Sequence, residues 1–224
     1  MPDTREKLVA AALRLFRTDG YQATTMRRIA TEAGVSLGNA YYYFASKDDL
    51  VHELYLLVQR EHRELAGPRL RRGASLTENL RTVLHAGLDV MAPYQEFGSS
   101  FLTVALPPSS RSSPFSADSA VAREQAIGLM REVVTLSRGR PTGVLLERLP
   151  TLLWLVYLGI TVHWVTDSSP AQDRTRRLVD GVAPIVSRLV GLARLPGGRR
   201  LVTDVARVMD VVSAAPAPAA EVAR

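Results

Sequence analysis

The 224-residue sequence contains no cysteine, so disulfide bonds and cysteine metal sites are excluded. It shows no sustained alternation of apolar and polar residues, the pattern that half-buried strands require. Its first residues are charged and then amphipathic, and they lack the apolar core of a secretory signal. These absences predict a helical protein that resides in the reducing cytoplasm.

Patterns typical of enzymes and metal sites are also missing. The four histidines, His52, His62, His85 and His163, show no ligand spacing. The stretch HELYL begins like a zinc-protease motif, but Leu56 occupies the position of the second histidine. No Gly-x-Ser-x-Gly elbow or phosphate-binding glycine loop occurs. We therefore expect no catalytic activity, no metal and no cofactor.

One long uncharged run raises the possibility of a membrane span. Residues 149–166 contain no charged side chain and reach the length of a short transmembrane helix. The run includes Pro150 and His163, and its continuous apolar part is shorter. A helix that is apolar on most sides is more often buried within a protein, so we expect no membrane association.

The positive charge of the chain does not by itself indicate a partner. The formal net charge is +6, from 28 basic and 22 acidic residues. Residues 1–66 carry nine of each sign, so the excess lies further along the chain. The position of individual basic residues must therefore carry any argument for nucleic-acid binding.

Apolar residues recur at three- and four-residue spacing along most of the chain, which predicts an all-α fold. Ser46 with Asp49 and Ser75 with Glu78 form capping-box patterns that start two helices. Further helices are predicted over approximately 118–138, 143–166, 170–194 and 200–212. A proline- and serine-rich loop is predicted over 107–119, before the first of these four helices.

A glycine turn near the N-terminus joins two short predicted helices. The first covers residues 25–33, Gly34 forms the turn, and Ser36 caps a second helix that ends near Tyr43. Since successive helical residues differ by about 100°, the aromatic run 41–44 cannot lie on one buried face. We expect Phe44 to pack inward and some of the tyrosines to project. This second helix would fit the DNA major groove.

The stretch LRLFRTDGYQATTMRRIATEAGVSLGNAYYYFASKDDL resembles the N-terminal domain of the TetR family of transcriptional regulators. The resemblance implies an all-α homodimer with an N-terminal three-helix helix-turn-helix domain and a helical ligand-binding and dimerisation domain. It also implies a ligand-responsive repressor of a palindromic double-stranded DNA operator, controlled by a small-molecule effector. The DNA-contacting positions that it implies are Thr25, Arg27, Arg28, Ser36, Gly38, Asn39, Tyr41, Tyr42, Tyr43 and Lys47. Leu37 departs from the polar or basic residue often found at its position.

On this basis, residues 1–47 are expected to form the DNA-binding domain, and helix 46–66 to connect it to a C-terminal domain over 67–212. Residues 213–224 are expected to form a disordered tail. The helices near 143–166 and 170–194 are assigned to the dimer interface. A ligand cavity with apolar walls and few polar groups is expected in the C-terminal domain. Its candidate residues are His85, Met91, Phe97, Phe101, Trp154, Tyr157 and His163, with Trp164 beside them.

Two alternatives remain open from the sequence. The chain could be a helical ligand carrier or interaction protein that does not bind DNA, as the neutral first 66 residues and the apolar C-terminal part allow. It could also be an activator rather than a repressor.

Overall fold

The computed structural model describes residues 3–95, 98, 102, 105, 110–193, 204 and 207. These residues form eight α-helices and three short 3₁₀ turns, and no strand occurs among them, which confirms the all-α prediction. The predicted helix over 200–212 and the tail over 213–224 lie outside the described residues, apart from Asp204 and Arg207. The helices are α1 (Thr4–Asp19), α2 (Met26–Ala33), α3 (Leu37–Tyr43), α4 (Lys47–Ala66), α5 (Leu76–Met91), α6 (Ala120–Leu136), α7 (Val144–Thr166) and α8 (Asp173–Ala193).

Both predicted capping boxes are present. At the start of α4, the Ser46 hydroxyl accepts from the Asp49 amide, and the Asp49 carboxylate accepts from the Ser46 amide at 3.0 Å. The hydroxyl of Ser75 and the carboxylate of Glu78 do the same for α5. Each box satisfies backbone amides that have no partner within the helix and so fixes where the helix begins.

The first three helices enclose a small core of their own. Leu8 and Phe16 of α1, Ile29 of α2, Ala40 of α3 and Phe44 just beyond α3 are each no more than 2% exposed. The α3 helix is too short to be stable alone. It is held because Ala40 and Phe44 pack inward, which fixes which face of α3 points outward.

Helix α4 extends from this core into the rest of the molecule, where it packs against α5 and α6. The Nε2–H of the buried His62 donates to the Val83 carbonyl of α5 at 2.8 Å, and the centroid of the His62 ring lies 5.4 Å from that of Tyr157 of α7. Burial lowers the pKa of His62, although the bond to Val83 opposes the shift, so the imidazole is neutral at pH 7. Movement of α4 is therefore tied to the packing of α5 and α7.

Helix α7 is long and apolar enough to cross a membrane by length and composition. Within the described structure it packs against α6 and α8, and 39% of its most apolar 18-residue segment is buried. Leu153, Trp154 and Ile160 are among the residues that it buries. These contacts give part of its apolar surface an intramolecular partner.

Candidate nucleic-acid interface and ligand cavity

The turn between α2 and α3 depends on one backbone conformation. Gly34 has φ +69° and ψ +32°, the left-handed region that favours glycine. Its amide bonds the Thr31 carbonyl at 3.1 Å, and the Val35 amide bonds the Ala30 carbonyl at 3.0 Å. This is the Schellman arrangement, which ends α2 and redirects the chain into α3.

Hydroxyl caps then start both helices of the unit. The Thr25 side chain accepts from the Arg28 amide at 3.2 Å, and the Ser36 side chain accepts from the Asn39 amide at 3.1 Å. Both candidate DNA-contacting hydroxyls therefore already have an intramolecular role. Their side chains remain exposed at the surface.

The tyrosines of α3 form an exposed aromatic surface. Tyr41, Tyr42 and Tyr43 are 50%, 82% and 37% exposed, whereas Ala40 and Phe44 on either side of them are buried. The rings of Tyr42 and Tyr43 meet edge to face with centroids 5.2 Å apart. Contiguous exposed apolar surface often marks an interaction site, and this pair lies on the second helix of the helix-turn-helix unit.

Gly38 adds a second feature of the same surface. A Cβ atom placed there would meet no protein atom within 4 Å, and the backbone does not have positive φ. Glycine inside a helix costs about 1 kcal/mol relative to alanine, and nothing in the described packing requires it. Together with the exposed Asn39, it leaves a flat, accessible backbone at the start of α3.

The basic residues around α3 differ in availability. Arg27 is exposed, whereas the Arg28 guanidinium bonds Asp19 at 2.7 Å while staying 57% exposed. Lys47 turns inward: its ammonium donates to the Tyr21 carbonyl at 2.7 Å and lies 4.4 Å from the Tyr21 ring centroid. Desolvation lowers the pKa of Lys47, although nearby Asp48 opposes the shift. The sequence did not predict this contact, which uses one of the three ammonium N–H groups of Lys47.

A polar network links the first turns of α4 to the segment 110–119, here called the cavity loop. The Asp48 carboxylate accepts from the Tyr21 hydroxyl at 2.7 Å and from the Ser112 hydroxyl at 2.5 Å. Burial raises the pKa of Asp48, but these two hydrogen bonds outweigh it and hold the pKa below its usual value. Tyr55 donates to the Ser112 carbonyl at 2.7 Å.

Arg111 adds two further contacts between the cavity loop and α4. Its carbonyl lies 2.9 Å from His52 Nε2, and its guanidinium lies 3.5 Å from the Asp49 carboxylate. Side chains at four positions near the start of α4 thus contact two adjacent residues of this loop.

The same loop forms part of the wall of a cavity of about 400 Å³. The other walls come from α4, α5, α6 and α7, and most of the lining is apolar. Of the predicted ligand residues, Met91, Trp154 and Tyr157 line it, as does Trp164. Phe97 and Phe101 lie outside the described residues.

The structure places two of the predicted histidines outside the cavity lining. His85 does not line the cavity; its Nε2 lies 3.2 Å from the Asp180 carboxylate of α8. His163 does not line it either, because its Nδ1 bonds the Thr175 hydroxyl at 2.9 Å. Both belong to helices that border the cavity, but the helical rotation turns them toward α8.

Other polar residues of the cavity were missed by sequence reasoning. Tyr55 and Gln59 lie one turn apart on α4 and both line the cavity, as does Arg123 of α6. The available signal was their i, i+4 spacing beside the apolar stripe of Leu54 and Val58. Among the described residues, no group of three or more histidine, aspartate or glutamate side chains is placed to hold a metal ion.

Comparisons with known proteins agree with this geometry. A family model for the tetracycline repressor-like C-terminal domain matches residues 79–207. A second model, for bacterial regulatory proteins of the tetR family, matches residues 8–54. Together they include the helix-turn-helix unit and most of the cavity wall.

Curated relatives match over the N-terminal part. The nicotine-responsive transcriptional repressor HdnoR of Paenarthrobacter nicotinovorans is 34% identical over 89 residues, which cover 39% of this chain and 43% of that protein. The transcriptional regulator BetI of Agrobacterium fabrum is 39% identical over 84 residues, covering 38% of this chain and 41% of BetI. In each case the aligned segment spans less than half of the relative.

Solved structures match over most of the chain. A TetR transcriptional regulator from Nitrosomonas europaea superposes with a TM-score of 0.62 at 18% identity, covering 82% of this chain and 98% of that one. The regulator FadR from Bacillus subtilis, in complex with stearoyl-CoA, superposes with a TM-score of 0.61 at 17% identity, covering 79% and 96%. At these identities the likeness shows a shared fold. With both family models matched, the chain belongs to the TetR family of DNA-binding transcriptional regulators.

Proposed function

We propose that the protein is a ligand-responsive repressor that binds a palindromic operator as a homodimer. The observation that carries the proposal is the exposed tyrosine surface of α3, above all Tyr42 at 82% exposure. A helix inserted into the major groove needs outward-facing groups that reach base edges and phosphates. Here the buried Ala40 and Phe44 anchor the helix, so the tyrosines are presented on a fixed support.

The proposed contacts divide by chemistry. Tyr42 and Asn39 are assigned to base edges, where an aromatic ring can meet a thymine methyl group and an amide can both donate and accept. Tyr43, Arg27 and Lys47 are assigned to phosphates, which fix register without reading sequence. The remaining proposed contacts are Thr25, Arg28, Ser36, Gly38 and Tyr41.

Two copies of α3 are needed because one seven-residue helix reads only a few base pairs. We assign residues 1–47 to DNA binding, helix 46–66 to the connection and residues 67–212 to effector binding and dimerisation. Within the last of these, α7 and α8 are assigned to the dimer interface. On α8, Ile185, Leu189 and Leu192 are 52–56% exposed at three- and four-residue spacing. This apolar stripe has the form of a helix-packing face.

We propose that the effector binds in the cavity of about 400 Å³ and that the cavity loop transmits effector binding to α4. Ser113, Pro114 and Phe115 of this loop line the cavity, while Ser112 beside them bonds Asp48 at the start of α4. A ligand that displaces the loop would loosen α4 and the connected reading heads. It can do so only by binding that state more tightly than the DNA-binding state. We assign the protein to the cytoplasm, without membrane association.

Selection of bound sequences from random DNA duplexes tests the proposal. We expect an inverted repeat with half-sites about 34–36 Å apart, or wider for a longer site. Tyr42→Ala should weaken binding to the selected site by about 1–3 kcal/mol. The melting temperature of this variant should equal that of the wild-type protein, because the Tyr42 side chain is exposed. Tyr42→Phe retains the ring and shows whether the hydroxyl contributes. Failure to recover any preferred sequence would overturn the proposal.

The dimer is tested separately by light scattering after gel filtration. Leu189→Glu should yield monomers because it places a charge in the apolar stripe of α8. Arg174→Glu changes an exposed residue at the start of the same helix and should leave the dimer intact. A monomeric wild-type protein would exclude the symmetric operator complex.

A further inference from the structure

Two buried polar atoms in the cavity wall have no partner among the described residues. They are the side-chain oxygen Oε1 of Gln59 and the indole nitrogen Nε1 of Trp164. Both residues line the cavity, and Trp164 is only 2% exposed. Buried polar atoms are nearly always hydrogen-bonded, and one left unpaired is costly. One is an acceptor and the other a donor, so a ligand group that both donates and accepts would satisfy both once it reaches these covered atoms.

Three neighbouring hydroxyls of the wall already have partners. Thr161 donates to the Tyr157 carbonyl at 2.9 Å, and the Tyr157 hydroxyl lies 3.4 Å from the sulfur of Met91. Ser113 Oγ accepts from the Phe115 amide at 3.3 Å. Gln59 and Trp164 are therefore distinguished from these groups by their free hydrogen-bonding capacity.

The charges around the cavity restrict the ligand further. Arg123 is the one charged residue among its described lining residues. Its Nη1 donates to the carbonyls of Pro114 and Ser116 at 2.8 and 2.9 Å, which ties the guanidinium to the cavity loop. No carboxylate is found among those lining residues to pair with a cation. The loop backbone uses the Nη1 group, so an anion would have to bind through Nε and Nη2.

We propose that the cavity binds a neutral, mainly apolar small molecule that carries a hydroxyl or carboxamide group. That group donates to Gln59 Oε1 and accepts from Trp164 Nε1, while its apolar part lies against Met91, Trp154 and Tyr157. The volume of about 400 Å³ falls within the usual range of small-molecule sites. This inference deepens the proposed function, on which it rests for the consequence of binding but not for binding itself.

Intrinsic fluorescence can test the ligand class directly. The chain has two tryptophans, Trp154 and Trp164, and both line the cavity. Three eight-carbon probes that do not absorb at the excitation wavelength would be titrated: 1-octanol, octanoate and octylammonium. We expect 1-octanol to bind at least tenfold more tightly than either ion. Equal or tighter binding of an ion, or no binding of 1-octanol up to its solubility limit, would overturn the proposal.

Three variants then test the assigned atoms. Gln59→Leu removes the side-chain amide and Trp164→Phe removes the indole nitrogen, and each should weaken 1-octanol binding about 2- to 10-fold, the range for one net hydrogen bond. Trp154→Phe is the matched control, because it shortens another aromatic wall residue whose nitrogen is not a buried unpaired atom. It should change the affinity less than twofold, with Trp164 as the remaining reporter. Similar losses in all three variants, or no loss in the first two, would contradict the assignment.

These measurements contain no DNA, so they separate the two proposals. A protein that binds 1-octanol as expected but recovers no preferred DNA sequence would retain the ligand class and lose the repressor function. A protein that selects an inverted repeat but prefers octanoate would retain the repressor function and lose the neutral ligand class. Thermal melts of each variant establish that the fold is intact.

Discussion

The Ser112→Ala substitution tests the link between the cavity loop and α4. Ser112 is fully buried, and its hydroxyl donates to the Asp48 carboxylate at 2.5 Å. Alanine removes only this hydroxyl and leaves the Ser112 carbonyl that accepts from Tyr55. The change is therefore close to a deletion of one hydrogen bond.

The expected cost follows from the charge of the acceptor. Hydrogen bonds to charged groups contribute about 1.5–3 kcal/mol, against about 0.5–1.5 kcal/mol for neutral ones. Asp48 is only partly buried and keeps its bond from Tyr21, so the lower end applies. We expect Ser112→Ala to reduce the free energy of unfolding at pH 7 by about 1.5–2 kcal/mol, measured by urea titration.

The pH dependence identifies Asp48 as the acceptor. Because the pKa of folded Asp48 lies below its usual value, its hydrogen bonds contribute stability above the unfolded pKa of about 4. That contribution is lost as the pH falls through the lower, folded pKa. The stability difference between wild type and Ser112→Ala should therefore be largest near neutral pH and should narrow below about pH 4.

Ser113→Ala is the control, since Ser113 is also buried but its hydroxyl only accepts a backbone amide bond at 3.3 Å. We expect this neutral bond to be worth about 1 kcal/mol or less, with no narrowing in acid. The reasoning fails if the two variants lose equal stability at pH 7. It also fails if the Ser112→Ala deficit stays constant down to pH 3.

Three further substitutions test single features of the structure. Gly34→Ala should reduce the free energy of unfolding by about 1 kcal/mol in a urea titration, because φ +69° is strained for alanine. Gly159→Ala is the control: it lies in an exposed helical position with free space around it, so it should not reduce the free energy of unfolding. Gly87→Ala should cost about 1–3 kcal/mol in thermal unfolding, because its Cβ would lie 2.8 Å from the Tyr157 ring. Lys47→Met retains the side-chain stem and removes the charge, so the negative slope of log affinity against log salt on operator DNA should become less steep by about one. An unchanged slope would mean that Lys47 contacts Tyr21 but no phosphate.

Helix boundaries were predictable because their determinants are local. Ser46 with Asp49 and Ser75 with Glu78 each lie three residues apart, so the two capping boxes can be read directly from the sequence. The exposure of Tyr42 was predictable for the same reason. Once Phe44 is assigned to the core, the helical period turns Tyr42 away from it.

The contacts of the cavity were not predictable in this way. Ser112 and Asp48 are 64 residues apart, and no local pattern relates a loop serine to the first turn of another helix. His85 illustrates the converse error, since its helix borders the cavity but the residue faces Asp180. Composition identifies an apolar region, whereas the rotation of each helix about its axis depends on packing between distant segments.

The energy of the contacts between the cavity loop and α4 also sets an upper limit on the coupling that an effector could exert through them. Losing the Ser112–Asp48 bond alone, at about 1.5 kcal/mol, would change an equilibrium about tenfold. The bonds from His52 and Tyr55 to the carbonyls of Arg111 and Ser112 do not involve a carboxylate and add less each, and the exposed Arg111–Asp49 pair adds little. The available energy thus matches the 5- to 150-fold range of typical allosteric coupling. Under the proposed function, a ligand need not unfold the loop, because loss of the Ser112–Asp48 hydrogen bond, next to the residues of the cavity wall, would be sufficient to bias α4.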